Sequence, residues 1–194
     1  MIAYLDGKIT HHSPTFIYID IQGLGYHVNI SLQTYSVIES LKEVKLWTYL
    51  HVKEDSQTLY GFFEQDERAV FKHLLSVSGI GPNTARLILS SMTSSEVRRA
   101  IAQENVIAFN KVKGVGPKTA KRVILDLKDK IVKEELTGGV TTIDKSSDVR
   151  EEAIKALVAL GFQRASVQKS IDKYYSSELS VEELIKTVLQ QVSR

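Results

Sequence analysis

A nine-residue phrase occurs twice in this 194-residue chain: Val77-Ser-Gly-Ile-Gly-Pro-Asn-Thr-Ala85 and Val112-Lys-Gly-Val-Gly-Pro-Lys-Thr-Ala120, identical at six of nine positions and 35 residues apart. The chemistry such a phrase can do is anion binding. Gly79, Gly81, Gly114 and Gly116 suit backbone with positive φ, and without a Cβ they let a bulky ligand come close to the main chain. Pro82 and Pro117 fit the first turn of a helix, where no amide hydrogen is missed. The amides that follow, around Asn83 and Thr84 in one copy and Lys118 and Thr119 in the other, join the positive end of a helix dipole in a site that suits a phosphate. Lys121 and Arg122 add charge behind the second copy. One copy alone would read as a tight interhelical turn; two in tandem point to a grip on a nucleic-acid backbone.

Each phrase follows one amphipathic stretch and leads into another, from Arg86 to Ser91 and from Lys121 to Lys130, which predicts helix, tight hairpin, helix. The pattern resembles the helix-hairpin-helix family, whose members bind DNA through backbone phosphates with little regard to sequence. The distribution of charge agrees. Residues 1–64 carry 4 basic and 7 acidic side chains, residues 65–133 carry 13 and 6, and residues 134–194 carry 8 and 10. The net +2 of the whole chain therefore conceals +7 (13 − 6) on the segment that holds both phrases. Five basic residues and no acidic one lie between Lys111 and Arg122. That is the footprint of a DNA-binding module inside an otherwise near-neutral protein.

The elements that must position these residues follow from periodicity. Up to residue 63 apolar residues alternate with period two, as in Thr15-Phe-Ile-Tyr-Ile-Asp-Ile21 and Leu46-Trp-Thr-Tyr-Leu-His-Val52, with turn residues at Asp6-Gly7, Ser13-Pro14 and Gly23-Leu-Gly25. Five or six short strands favour a closed barrel of the oligonucleotide-binding (OB) type, with a small open sheet as the alternative. The period becomes helical from Glu64, and residues 136–147 have linker composition. Beyond them three short helices are expected. The first is capped by Asp148, buries Ala153, Ala156, Leu157 and Leu160, and is ended by Gly161. The second spans 164–174, and the third opens on a Ser180/Glu183 capping box with Leu184, Ile185, Val188 and Leu189 inward. The expected fold is a multidomain α+β protein: an OB-type barrel over 1–63, an all-α tandem helix-hairpin-helix domain over 64–135, a flexible linker over 136–147, and a three-helix partner-binding domain over 148–194.

Composition excludes several classes. With no cysteine, disulfides, zinc ribbons and cysteine-ligated iron–sulfur clusters are ruled out. No run of eighteen apolar residues exists, and the N-terminus lacks a signal peptide's pattern, so a cytoplasmic protein without membrane association is expected. His11, His12, His27, His51 and His73 form no pair with metal-site spacing, and neither metal nor cofactor is expected. Gly114-Val-Gly-Pro-Lys-Thr119 superficially resembles an ATPase phosphate loop, but Pro117 stands where that loop needs a glycine amide. No catalytic residue is assigned. A helix-hairpin-helix glycosylase or lyase, the enzymatic alternative, could use Lys118, but the aspartate it needs some eighteen residues later is here Leu136. Asp126 and Asp129 read as charged helix faces.

Taken in order, barrel, double hairpin and tethered helices resemble the RuvA family, the Holliday junction-binding subunits of the bacterial branch-migration machine. The resemblance extends to the opening Met1-Ile-Ala-Tyr-Leu-Asp-Gly7, to Gly23-Leu-Gly-Tyr-His-Val28 and to His51-Val-Lys-Glu-Asp-Ser-Gln-Thr-Leu-Tyr-Gly-Phe62. It implies a homotetramer, alone or as two tetramers face to face, that holds a four-way junction open and square. Phosphate contacts would fall to Gly79, Gly81, Gly114, Gly116, Lys118 and Arg122, with Asn83 replacing a lysine frequent in relatives. The resemblance also implies an acidic pin, here Glu54 and Asp55, at the junction centre. A carboxylate and a phosphate about 6 Å apart repel by roughly 3 kcal/mol at an effective dielectric near 20, so such a pin would keep strands apart at the crossover. The implied partners are the RuvB ATPase, docked through the C-terminal domain near Leu157, Leu160, Gly161 and Phe162, and the RuvC resolvase. A general DNA-binding adaptor without junction preference is the other reading.

Overall fold

The computed structural model describes residues 2–136, 149–176 and 179–192. Strands β1 (Tyr4–Ser13), β2 (Phe16–Ile21), β3 (Leu24–Ile30), β4 (Glu43–Val52) and β5 (Gln57–Phe62) close into a barrel in the order β1-β2-β3-β5-β4. The expected OB-type barrel is thus what the N-terminal segment forms. Closure is completed by a parallel pairing of β3 with β5 (Val28↔Leu59) and an antiparallel one of β1 with β4 (Leu5↔Leu46), so the sheet has no free edge. The period-two signal has its physical counterpart on β2, where Ile17 and Ile19 point inward, fully buried, and Tyr18 between them is exposed.

Two expectations for this region are corrected. Asp6-Gly7 is not a turn but part of β1, and Gly7 is there because a Cβ would come within 2.3 Å of the Asp20 carbonyl oxygen on β2. The β2–β3 turn is Gln22-Gly23 (φ 53° and 90°), the doubly positive geometry that matches strand twist, with the Gly23 amide donating to Asp20 Oδ1 at 3.2 Å. In addition, a short helix, α1 (Leu32–Ile38), stands between β3 and β4; Ser31 caps it by accepting from the Thr34 amide at 3.0 Å, and its Ile38 joins the barrel core. Seven residues with only two buried positions leave too short a period for sequence to reveal it.

Five helices follow: α2 (Gln65–Leu75), α3 (Pro82–Ser91), α4 (Ser94–Ala102), α5 (Val106–Asn110) and α6 (Pro117–Leu136). α4 begins with a capping box in which Thr93 and Glu96 exchange bonds. Barrel and helices share a core: Tyr60 and Phe62 of β5 lie 5.2 and 4.9 Å, ring to ring, from Phe71 of α2. Accordingly the chain divides into two compact units, Met1–Val140 and Thr141–Arg194, with barrel and hairpin helices together in the first. The expected linker lies outside the described residues except for Leu136, the last residue of α6; so does the Asp148 cap.

The second unit holds α7 (Val149–Ala159), α8 (Arg164–Tyr174) and α9 (Val181–Val192) around Ala153, Ile154, Leu157, Val167, Ile171, Leu184 and Val188. Gly161 (φ 97°) ends α7 in a Schellman arrangement, its amide donating to the Val158 carbonyl and the Phe162 amide to that of Leu157. Ser180 and Glu183 form the expected capping box, the Ser180 amide donating to Glu183 Oε2 at 2.9 Å and the Glu183 amide to Ser180 Oγ at 3.3 Å. Among the described residues no helix is long and apolar enough to cross a membrane.

Candidate nucleic-acid interface

The repeat in sequence is a repeat in structure. In the first hairpin the Val77 amide donates to the Leu74 carbonyl (3.1 Å), Ile80 to Val77 (3.1 Å) and Ala85 to Gly81 (2.9 Å). In the second, Val112 donates to Phe109 (3.0 Å), Val115 to Val112 (3.0 Å) and Ala120 to Gly116 (2.9 Å), each pair displaced by the same 35 residues. The buried positions repeat too: Leu74 and Phe109, Val77 and Val112, Ile80 and Val115, Ala85 and Ala120. Apolar residues at these offsets anchor each hairpin from below, so its glycines are left on the outside.

The four glycines have two different roles. Gly79 (φ 92°) and Gly114 (φ 88°) are left-handed, a conformation that disfavours any side chain. Gly81 is extended (φ −91°, ψ 171°), and Gly116 is not among the residues with positive φ, which corrects the expectation that all four need that freedom. At Gly81 and Gly116 an added Cβ would meet nothing within 4 Å. Neither strain nor packing in the chain itself accounts for these two glycines. What their missing Cβ does provide is open space directly before the first amides of α3 and α6.

Those helix starts are bare. Gly81 caps α3 without a side-chain bond, Pro82 occupies the first turn, and neither α3 nor α6 has an acidic residue there. By contrast Ser31, Thr93 and Asn105 close the starts of α1, α4 and α5 with their own side-chain oxygens. Two helix starts on one compact body thus present amides and the positive end of a dipole to solvent. Asn83 and Lys118 are exposed, Thr84 and Thr119 half-buried.

The cations differ in how they are held. Lys118 and Lys121 are exposed and have no hydrogen-bond or ion-pair partner among the described residues. The guanidinium of Arg122 donates to the Ser78 carbonyl at 3.4 Å, so the start of α6 reaches across to the first hairpin. Further along α6, Lys128 pairs with Glu104, whose carboxylate raises the lysine's pKa, and Lys130 donates to Ser76 Oγ at 3.3 Å. Arg86, given no role by the sequence pattern, donates to the Thr15 carbonyl (2.8 Å) and to Asn29 Oδ1 (3.3 Å) and so clamps α3 to the barrel. Nothing in the local pattern distinguishes it from a phosphate-binding arginine, because its acceptors lie 57 and 71 residues away.

Glu54 and Asp55 are exposed at the β4–β5 turn, where the Lys53 amide donates to the Ser56 carbonyl at 2.8 Å. In the second unit, Leu160 (62% exposed) and Gly161 lie on the surface and Phe162 packs partly against the core. Leu157, expected at a docking surface, is fully buried, and Leu160, expected inward on α7, is exposed. Among the described residues no group of three or more histidine, aspartate or glutamate side chains could hold a metal.

A closed OB-type barrel fused to two uncapped helix-hairpin-helix turns, with positive charge gathered on the second, defines a class of protein built to hold nucleic-acid backbone. Comparison with known families gives the same order of parts: residues 1–61 match the RuvA N-terminal domain, residues 71–129 the SAM-like helix-hairpin-helix tandem, and residues 148–193 the RuvA C-terminal domain. The chain belongs to the RuvA family. It is 46% identical to the Holliday junction branch migration complex subunit RuvA of Cytophaga hutchinsonii over 197 residues, covering 98% of this chain and 99% of that one. It is 45% identical to the protein of the same description from Christiangramia forsetii, and 38% identical to that of Acetivibrio thermocellus, each over the full length of the relative.

Proposed function

We propose that this protein is a non-catalytic DNA-binding subunit of a branch-migration complex, in which four copies hold a four-way junction open and square. The observation that carries the reading is the pair of bare helix starts, each preceded by a glycine with open space around it, on a body that also bears an acidic turn. Gly79, Gly81, Asn83, Thr84, Gly114, Gly116, Lys118, Thr119, Lys121 and Arg122 take phosphates of a duplex arm, mostly through backbone amides and therefore with little regard to sequence. Glu54 and Asp55 repel backbone at the crossover and penalise ordinary duplex. The C-terminal helices recruit the ATPase, RuvB, that supplies the energy, through the surface around Leu160, Gly161 and Phe162, and the RuvC resolvase joins when the junction is cut.

A competition gel shift in moderate salt tests this, with an immobile four-way junction against linear duplex of equal length. The expected result is strong preference for the junction in a band of tetramer size, and a gain in duplex affinity when Glu54→Gln is combined with Asp55→Asn. Equal affinity for both DNAs would leave the hairpins as phosphate grips and turn the reading to a general adaptor.

A further inference from the structure

Glu67, in the first turn of α2, is the only charged side chain buried among the described residues (7% exposed). Its carboxylate faces α1. Ser31 Oγ donates to Oε1 and Thr34 Oγ1 to Oε2, the latter at 2.6 Å. Each hydroxyl in turn accepts from a backbone amide, Ser31 Oγ from Thr34 (3.0 Å) and Thr34 Oγ1 from Phe63 (3.2 Å). Amides can only donate, so the single proton of each hydroxyl is directed at the carboxylate, which accepts at both oxygens. The network is therefore complete only with Glu67 ionised.

Its position gives that network leverage. β5 ends at Phe62 and α2 starts at Gln65, so Phe63 and Glu64 are the whole covalent joint between barrel and hairpin helices. The network holds the Phe63 amide on one side of the joint and α2 on the other. At its far end α2 runs directly into the first hairpin, while β5 runs back to the acidic turn.

This arrangement is not explained by stability. Burial pushes the Glu67 carboxyl above its ordinary range; the hydroxyls of Ser31 and Thr34 pull it down, the charge of Glu64 pushes it further up, and the Phe63 amide pulls it down a little. A pKa raised by folding means that the folded chain holds the proton more tightly than the unfolded one. The contribution of Glu67 to stability is then fully present below the ordinary glutamate range and is lost as pH rises through the raised value. α1 itself carries no charged residue, and Thr93 and Ser94 before and at the start of α4 bring only hydroxyls to the cavity beside Glu67, so Glu64 is the charged neighbour lining it. Glu67 therefore contributes less to stability in its ionised form, the form in which both hydroxyls are satisfied, as befits a buried charge kept for geometry.

We propose that Glu67 is a positioning residue: its carboxylate, gripping two hydroxyls of α1, fixes the angle between barrel and first hairpin and so the placement of the acidic turn relative to the phosphate-binding helix starts. This rests on the junction-binding reading above. Preference for a junction over duplex depends on that placement, whereas the phosphate grip itself does not.

The test is Glu67→Gln in the full chain, whose amide can accept from one hydroxyl only and turns an N–H toward the other. Junction and duplex affinities are measured from pH 5 to pH 8, beside urea unfolding at the same pH values. The expected result at pH 8 is a several-fold fall in junction preference, with duplex affinity no lower than wild type, its salt dependence unchanged and urea resistance no lower than wild type. Wild-type preference should decline toward that of the variant as pH falls, and the variant's profile should be flatter. Thr34→Val, which deletes one hydroxyl at nearly constant shape, must shift preference in the same direction if the glutamine variant folds poorly. A wild type that prefers the junction, with variants that keep the preference or lose it only in step with urea resistance, overturns the role of Glu67. A wild type without preference overturns the functional reading, and this inference with it.

Discussion

The two hairpins share a backbone and a core but have been given different surfaces. Shifted by 35 residues, Ser78 corresponds to Lys113, Asn83 to Lys118, Arg86 to Lys121 and Leu87 to Arg122. The first hairpin thus keeps one of these four cations and commits it to the barrel, where Arg86 bonds Thr15 and Asn29. The second has cations at all four positions, of which Lys113, Lys118 and Lys121 are exposed and Arg122 bridges to the first. Duplication preserved what the fold needs, since any change at Val77, Ile80 or Ala85 to a smaller residue would open a cavity, and left the outer residues to diverge. One hairpin became the docked copy, placed by the barrel and by α1; the other became the charged copy.

If that division holds, the largest effect belongs to the second hairpin. Lys118→Ala with Arg122→Ala should weaken junction binding by about tenfold for each charge-assisted bond to phosphate that is removed, and flatten the salt dependence by nearly two units, at about 0.9 per phosphate. An unchanged slope across a salt titration would mean that neither side chain meets a phosphate. In the opposite direction, Asn83→Lys makes the first hairpin more like the second. It should tighten binding several-fold and steepen the same slope by about 0.9, and a flat response would mean that no phosphate lies within reach of Asn83.

A smaller effect separates strain from access within one hairpin. Gly79→Ala places a Cβ on left-handed backbone (φ 92°) and should cost about 1–2 kcal/mol in urea unfolding. Gly81→Ala adds a Cβ to extended backbone with nothing within 4 Å, so it should leave stability nearly unchanged while lowering DNA affinity. If Gly81→Ala binds DNA as wild type does, the open space before α3 is not where a phosphate sits. The pH dependence proposed for Glu67 is the subtlest of these contrasts, since it alters placement and leaves the grip intact.

How far the sequence reached depended on how local each signal was. Helix α8 spans Arg164–Tyr174 as its pattern indicated, Gly161 ends α7, and Ser180 with Glu183 opens α9, because period and caps are written in residues three or four apart. Asp6-Gly7 misled because a glycine required by close strand packing looks, in sequence, like one required by a turn. Leu160 misled because an apolar residue in register with a buried face can still lie past the end of the helix.

By itself the sequence determined the order of the parts, the repeated hairpin, the sign and place of the charge, and in the second unit the end of α7 and the start of α9, all carried by neighbouring residues. Only the tertiary structure decided which glycines are left-handed, which arginine serves the barrel instead of the exterior, and that Glu67 is buried against hydroxyls 33 and 36 residues away. Such facts arise when segments distant along the chain are brought together and excluded from water, and no local pattern encodes the partner that each group will then meet.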